Sequence, residues 1–164
     1  MNTTTKPKMA EIINESTYDF NTPEAKITEE VSQQFVASQT GRITRNSSLR
    51  KETKILLARV TDMERNRSHE FLQSLVNATN LTEENGLETF LRVSELVFGN
   101  EVNWGRILAL YLYVAMMLEK LRKNGNDNFN EKIAKWLSIC VSRQSAWICE
   151  SGKGWVREIK IFKF

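Results

Sequence analysis

The spacing of apolar residues predicts helices along most of this 164-residue chain. From Glu24 to Phe164 there is no proline, and apolar residues recur at helical intervals. Glycines separate these segments, as is typical of helix ends. We therefore predict an all-α domain over residues 23–164, preceded by a flexible polar arm over residues 1–22.

The individual helices follow from the same pattern. Thr22 is a good N-cap with Pro23 at the first helical position. The predicted elements are a helix ending near Gly41, one with Ser48 as candidate cap that runs through Met63, one carrying Phe71 and Val76, and helices over Glu88–Phe98, Asn103–Lys123 and Phe129–Arg143.

The helix over Asn103–Lys123 is apolar on nearly every side, so other helices should surround it. Its uninterrupted apolar run, Ile107–Leu118, is too short to span a bilayer. The polar N-terminus contains no apolar signal segment. No membrane tail follows Phe164, so we expect either a soluble protein or one whose tail was removed.

This central helix begins with an unusual pair, Gly105 and Arg106, directly after the good N-cap Asn103. Glycine weakens a helix, and a cation is unfavourable at a helix N-terminus. One interpretation is a helix start whose arginine reaches solvent. The other is a docking point for an acidic helix, because glycine permits close approach and a guanidinium binds a carboxylate. In both interpretations Arg106 should contribute little to folding.

Composition and charge argue against several other functions. A net charge of +3, spread along the chain, is too weak to indicate nucleic-acid binding. Cys140 and Cys149 are expected to be reduced, buried thiols. The single histidine, His69, lies far in sequence from both cysteines, and there is no phosphate-binding loop or metal-ligand spacing. We expect no enzyme activity, no cofactor and no metal.

Three segments resemble the homology motifs of the Bcl-2 family of apoptosis regulators. The sequence NWGR at 103–106 resembles the first motif, and WICESGKGW at 147–155 resembles the second with one extra residue between its tryptophans. LARVTD at 57–62 resembles the third, and the ERNRSHEF that follows is similar to the Mcl-1 and Bak branches. The order and spacing agree over roughly residues 24–162, which argues against a generic helical adaptor.

The resemblance implies a bundle of about eight helices around a central apolar hairpin. It also implies a surface groove that binds the amphipathic BH-3 helix of a pro-apoptotic partner. Core packing is at least as good an explanation for each aliphatic residue placed there. The residues implied to form this groove are Val60, Met63, Arg67, Phe71, Val93, Val97, Asn103, Gly105, Arg106, Ala109 and Tyr113.

The resemblance further implies hetero-dimers with other family members, a cytoplasmic location and peripheral association with the mitochondrial outer membrane.

Two departures from the third motif bear on whether the protein promotes or prevents cell death. Thr53 and Glu64 occupy positions where the third motif is usually apolar, so this chain would be a weak BH-3 ligand itself. That favours a survival protein; the alternative is a pore-forming effector of the same family.

Overall fold

The computed structural model describes residues 20–42, 48–66, 69–126, 128–152 and 154–155. Within these residues there is no strand, so the all-α prediction is confirmed. The seven helices with described bounds are α1 (Pro23–Gln39), α2 (Lys51–Asn66), α3 (Glu70–Ala78), α4 (Gly86–Phe98), α5 (Trp104–Lys123), α6 (Asn130–Ser142) and α7 (Ser145–Cys149).

The predicted N-terminal arm covers residues 1–22, and its residues 1–19 lie outside the described part of the chain. Phe20, near its end, is half-buried, and the Lys135 ammonium of α6 lies 4.7 Å from the centroid of its ring. A cation over an aromatic face is attractive. This contact packs Phe20 against α6.

Helix α5 forms the centre of the bundle. Its side chains are buried on every side, and eight of them, from Ile107 to Met117, are at most 1% exposed. Helices α1, α2, α3, α4 and α6 all contact it. The expectation that a helix apolar all round is enclosed by other helices is therefore confirmed.

Two buried hydroxyl groups pair where α1 meets α5. The Tyr111 hydroxyl of α5 and the Ser32 hydroxyl of α1 are 2.7 Å apart. The Tyr111 ring also meets Phe35 edge to face, with centroids 5.1 Å apart. Burying a hydroxyl without a hydrogen bond is costly, so this pair fixes the register of α1 on α5.

The start of α1 agrees with the sequence, but the start of α2 does not. The Thr22 side chain accepts a hydrogen bond from the Ala25 N–H at 3.1 Å, with Pro23 at the first helical position. Helix α2, in contrast, begins at Lys51 rather than directly after Ser48. The Arg50 N–H donates to the Gln34 side chain of α1 at 2.9 Å, a tertiary partner that local sequence does not reveal.

Gly86 is the first residue of α4, although the sequence pattern treats it as a break between helices. A Cβ atom here would lie 2.1 Å from the ring of Trp136, which is fully buried in α6. The missing side chain is therefore what lets α4 and α6 come together.

The two cysteines have different environments. Both are free thiols; Cys140 is buried in α6, and Cys149 is exposed at the end of α7. The expectation of two buried thiols is wrong for Cys149, because α7 is a single short turn that buries only Ile148. Burial raises the pKa of Cys140 to about 12, although the Ser94 hydroxyl opposes this.

In the part of the chain that the structure describes, no helix combines the length and the hydropathy needed to cross a membrane.

We predict that Gly86→Ala lowers stability by about 1–3 kcal/mol, because the added methyl group overpacks the Trp136 contact. In an open helical position the same change raises stability by up to ~1 kcal/mol, so the sign of the stability change shows whether the methyl group meets Trp136. Urea denaturation measures the difference. Glu88→Ala, on the exposed side of α4, is the control and should change stability little. Adding Trp136→Phe should recover part of the loss; if Gly86→Ala is as stable as the parent, the contact does not constrain the fold.

Candidate functional site

The candidate site is the start of α5 and the helix ends around it. The Asn103 side chain accepts a hydrogen bond from the Arg106 N–H at 2.9 Å, which is N-cap geometry. Trp104, Gly105 and Arg106 therefore form the first turn of α5, as the sequence predicts.

Trp104 joins the two tryptophan-containing segments. Its ring lies between those of Trp147 and Trp155, with centroid distances of 5.7 and 5.2 Å. Its indole N–H donates to the carbonyl of Gly152 at 3.1 Å. Trp155 in turn donates to the Thr28 hydroxyl of α1 at 2.9 Å. The NWGR and WICESGKGW segments, about forty residues apart in sequence, thus form one aromatic cluster.

Arg106 lies on another side of the same turn. It is half-buried, and its Nη1 donates to the carbonyl oxygen of Phe98, the last residue of α4. The C-terminal end of a helix carries partial negative charge and carbonyls without intrahelical partners. The cation that is unfavourable at the start of α5 is therefore favourable at the end of α4.

This contact gives a reason to expect that Arg106 contributes to folding, which was not predicted from the sequence. In the chain alone Arg106 is not purely solvated, because it links α4 to α5; its pairing with a partner's carboxylate stays a prediction. The sequence shows that Arg106 lies at the N-terminus of its own helix. It does not show that the fold brings the C-terminal end of α4 next to it.

Five of the other predicted groove residues lie in the main hydrophobic core and are less than 9% exposed. They are Val60, Met63, Val93, Val97 and Tyr113. Core packing accounts for their burial, and their role in binding stays a prediction. Phe71 of α3 is 57% exposed, which is unusual for a large apolar side chain. Gly105 and Ala109 are half-buried, and Arg67 lies outside the described residues.

Tyr113 belongs to a polar connection between α3 and α5. Its hydroxyl is 2.9 Å from the Thr79 hydroxyl at the end of α3, and burial raises its pKa to about 12 against the effect of that hydrogen bond. Lys120 donates to the carbonyls of Val76 and Thr79 at 2.9 and 2.8 Å. Lys120 therefore caps the end of α3 as Arg106 caps the end of α4, a role that sequence reasoning missed.

His69 has a structural contact as well. Its Nε2 lies 2.8 Å from the Met63 carbonyl, which can only accept, so this nitrogen carries the proton. The bond joins the last turns of α2 to the start of α3. A lone histidine in a helical chain is more often structural or solvated than catalytic, and His69 has a structural contact.

The fold and this site place the chain among helical bundles built around one buried central helix. A family model described as "Apoptosis regulator proteins, Bcl-2 family" matches residues 57–155, from the first residue of LARVTD to the last of WICESGKGW. The match covers more than half of the chain, and the chain belongs to the Bcl-2 family.

Two similar proteins carry names that describe opposite roles for those proteins. The human protein named "Bcl-2 homologous antagonist/killer" is 27% identical over 105 residues, which are 61% of this chain and 47% of the human protein. The chain thus spans about half the length of that relative. The crystal structure of the zebrafish pro-survival protein NRZ in its apo form matches with a TM-score of 0.66 at 15% identity, covering 84% of this chain and 91% of NRZ. That likeness concerns the fold.

We predict that Arg106→Ala lowers stability by about 1–2 kcal/mol, because it removes a charged donor from the end of α4. Thermal or urea denaturation without any partner measures this. Arg92→Ala is the control, since Arg92 is exposed on α4 and its ion pair with Glu88 should contribute less than about 1 kcal/mol. Equal stability of Arg106→Ala and the parent would show that the bond to Phe98 contributes nothing.

Proposed function

We propose that this chain regulates apoptosis by binding amphipathic BH-3 helices of pro-apoptotic partners against α2, α3, α4 and α5. The observation that carries the proposal is the first turn of α5, where a half-buried guanidinium stands next to a glycine. A guanidinium has several N–H donors in a planar fork, and the bond to Phe98 uses one nitrogen of that fork. The remaining edge can receive the carboxylate of an incoming helix.

The apolar part of the proposed site suits helix-in-groove recognition. Apolar anchors of a helix enter pockets while one ion pair fixes its register. Phe71 offers an exposed apolar surface, whereas Val60, Met63, Val93 and Val97 are buried in the unbound chain. We therefore propose that α2 and α3 move apart from α4 on binding and exchange core contacts for contacts with the partner.

The glycine is the second element of the recognition. Gly105 is half-buried directly beside Arg106. Without a side chain it allows the backbone of another helix to approach the arginine closely. Asn103 holds this turn in place through its cap, so we include it in the site as a positioning residue.

We propose a pro-survival direction, and the supporting feature is the way α2 is held. Thr53, where the third motif is usually apolar, is fully buried and donates to the Gln34 side chain of α1 at 2.7 Å. Arg50 contacts Glu30 of α1 at 3.0 Å and Glu52 of α2 at 3.1 Å. A chain that offered its own BH-3 face would have to break these bonds between α1 and α2.

The electrostatics of Glu52 strengthen this attachment. Its side chain is nearly fully buried, which by itself raises the pKa, but hydrogen bonds from Arg50 and from its own backbone N–H outweigh burial and hold the pKa below its ordinary value. The carboxylate is thus charged near neutral pH and pairs with Arg50.

Partners in this proposal are BH-3-containing proteins and other family members, met in the cytoplasm and at the mitochondrial outer membrane.

We predict that the purified chain binds at least one peptide of a broad BH-3 panel with an affinity of about −8 to −12 kcal/mol. Arg106→Ala should weaken binding by about 1–3 kcal/mol, because a partly wet ion pair loses one partner. Calorimetry measures both. Arg92→Ala is the matched control and should bind like the parent. If no peptide of the panel binds the parent chain, the proposed function is wrong.

We predict that Gly105→Ala moves stability and affinity in opposite directions. The methyl group should raise helix propensity by up to ~1 kcal/mol, yet obstruct the approaching helix. A melting curve and a peptide titration on the same sample measure the two effects. Unchanged affinity would remove Gly105 from the proposed site.

The direction of action needs a cellular measurement. Expression during a death stimulus should raise survival, and Arg106→Ala should reduce that protection because it weakens capture of BH-3 helices. Cell death and release of mitochondrial contents on expression alone would contradict the pro-survival proposal and support a pore-forming effector; the name of the human relative calls that protein an antagonist/killer.

A further inference from the structure

The chain between α4 and α5 makes a tight turn at Phe98–Glu101. The carbonyl of Phe98 accepts a hydrogen bond from the Glu101 N–H at 3.1 Å. Gly99, the residue after Phe98, has φ 59° and ψ −126°. These angles are those of the first central residue in a type II′ turn, where glycine is strongly favoured. The turn therefore directs the Phe98 carbonyl toward the start of α5.

The same carbonyl accepts its second hydrogen bond from Arg106 Nη1. A Cβ atom built on Gly99 would lie 2.7 Å from that nitrogen and 3.9 Å from the guanidinium carbon. The guanidinium thus occupies the space in which any other residue at position 99 would place its side chain. Gly99 is otherwise exposed, so nothing in the core demands a small residue there.

We propose that Gly99 is a positioning residue for BH-3 binding: its missing side chain leaves the space in which Arg106 is held against Phe98, with the fork ready for the partner's carboxylate. This inference rests on the proposed function. It concerns a residue that does not need to touch the partner.

The physical reason is that folding tolerates a displaced Arg106 guanidinium better than binding of the partner's carboxylate does. A flexible arginine can move away from an added methyl group at small cost to the fold. To restore an ordinary contact the guanidinium must shift by about 1 Å, and a charged pair in a binding site loses much of its strength at such displacements. The positive φ of Gly99 also makes an alanine there strained, so the effect on recognition has to be measured as the contribution of the partner's aspartate to binding and not as a change in stability.

The test compares two variants with two peptides. Gly99→Ala adds the obstructing methyl group, and Gly41→Ala is the control, because Gly41 also has a positive φ of 77° but has open space around its Cβ position. The peptides are the tightest BH-3 binder of the panel and the same peptide with its aspartate changed to alanine. The measured quantity is the ratio of their dissociation constants for each protein variant.

For the parent and for Gly41→Ala we expect the aspartate to strengthen binding roughly ten- to hundredfold. For Gly99→Ala the ratio should fall toward one, because Arg106 no longer meets the aspartate. A merely structural role for Gly99 would weaken both peptides equally and leave the ratio unchanged, which would overturn the inference while the proposed function stands. If the parent binds neither peptide, the proposed function fails and the inference with it.

A double variant decides the case in which Gly99→Ala does not fold. Adding Arg106→Ala removes the group that the methyl meets. A folded double variant supports the inference, because the guanidinium is then the cause of the clash. An unfolded double variant overturns it, because the turn alone would then require glycine.

Discussion

A helix that is apolar on every side has to be enclosed, and this constraint organises the whole bundle. Helix α5 meets it by contacting five other helices, which bury most of its side chains. Enclosure has a consequence for the neighbours, since helices such as α3 and α4 end against α5 and leave carbonyls without intrahelical partners. The fold depends on supplying donors to those ends.

Two cations of α5 supply these donors. Lys120 binds the carbonyls of Val76 and of the C-cap residue Thr79 at the end of α3, and Arg106 binds the last carbonyl of α4. In each case one cation donates a further hydrogen bond at a helix end, where the helix dipole favours a cation, and the cation belongs to the helix against which the neighbour packs. Because Arg106 holds the end of α4, the position of α4 and the position of the guanidinium depend on each other. We therefore propose that Arg106 acts both in folding and in recognition of the partner.

Much of the fold could be predicted from the sequence because local signals produce it. The bounds of α5 follow from the Asn103 cap and the cations near Lys123, and the burial of its centre follows from apolar periodicity. What could not be predicted depends on pairs of residues far apart: Gly86 against Trp136, Arg50 on Gln34, and Arg106 on Phe98. For the site, the motif predicted the turn and its residues, and core packing was already an equal explanation for the aliphatic members, which are buried in the unbound chain.

The four residues of NWGR divide between two tasks on different sides of one helical turn. Asn103 fixes the turn by capping it, and Trp104 points into the aromatic cluster with Trp147 and Trp155. Arg106 faces α4 instead, and Gly105 stands beside it with no side chain. Because the cap and the tryptophan hold the backbone from one side, the other side can carry a glycine and a misplaced cation without loss of the helix. A turn stabilised in this way can carry Gly105 and Arg106, which would weaken an isolated helix. The same two residues are suited to bind a partner helix in the proposed function.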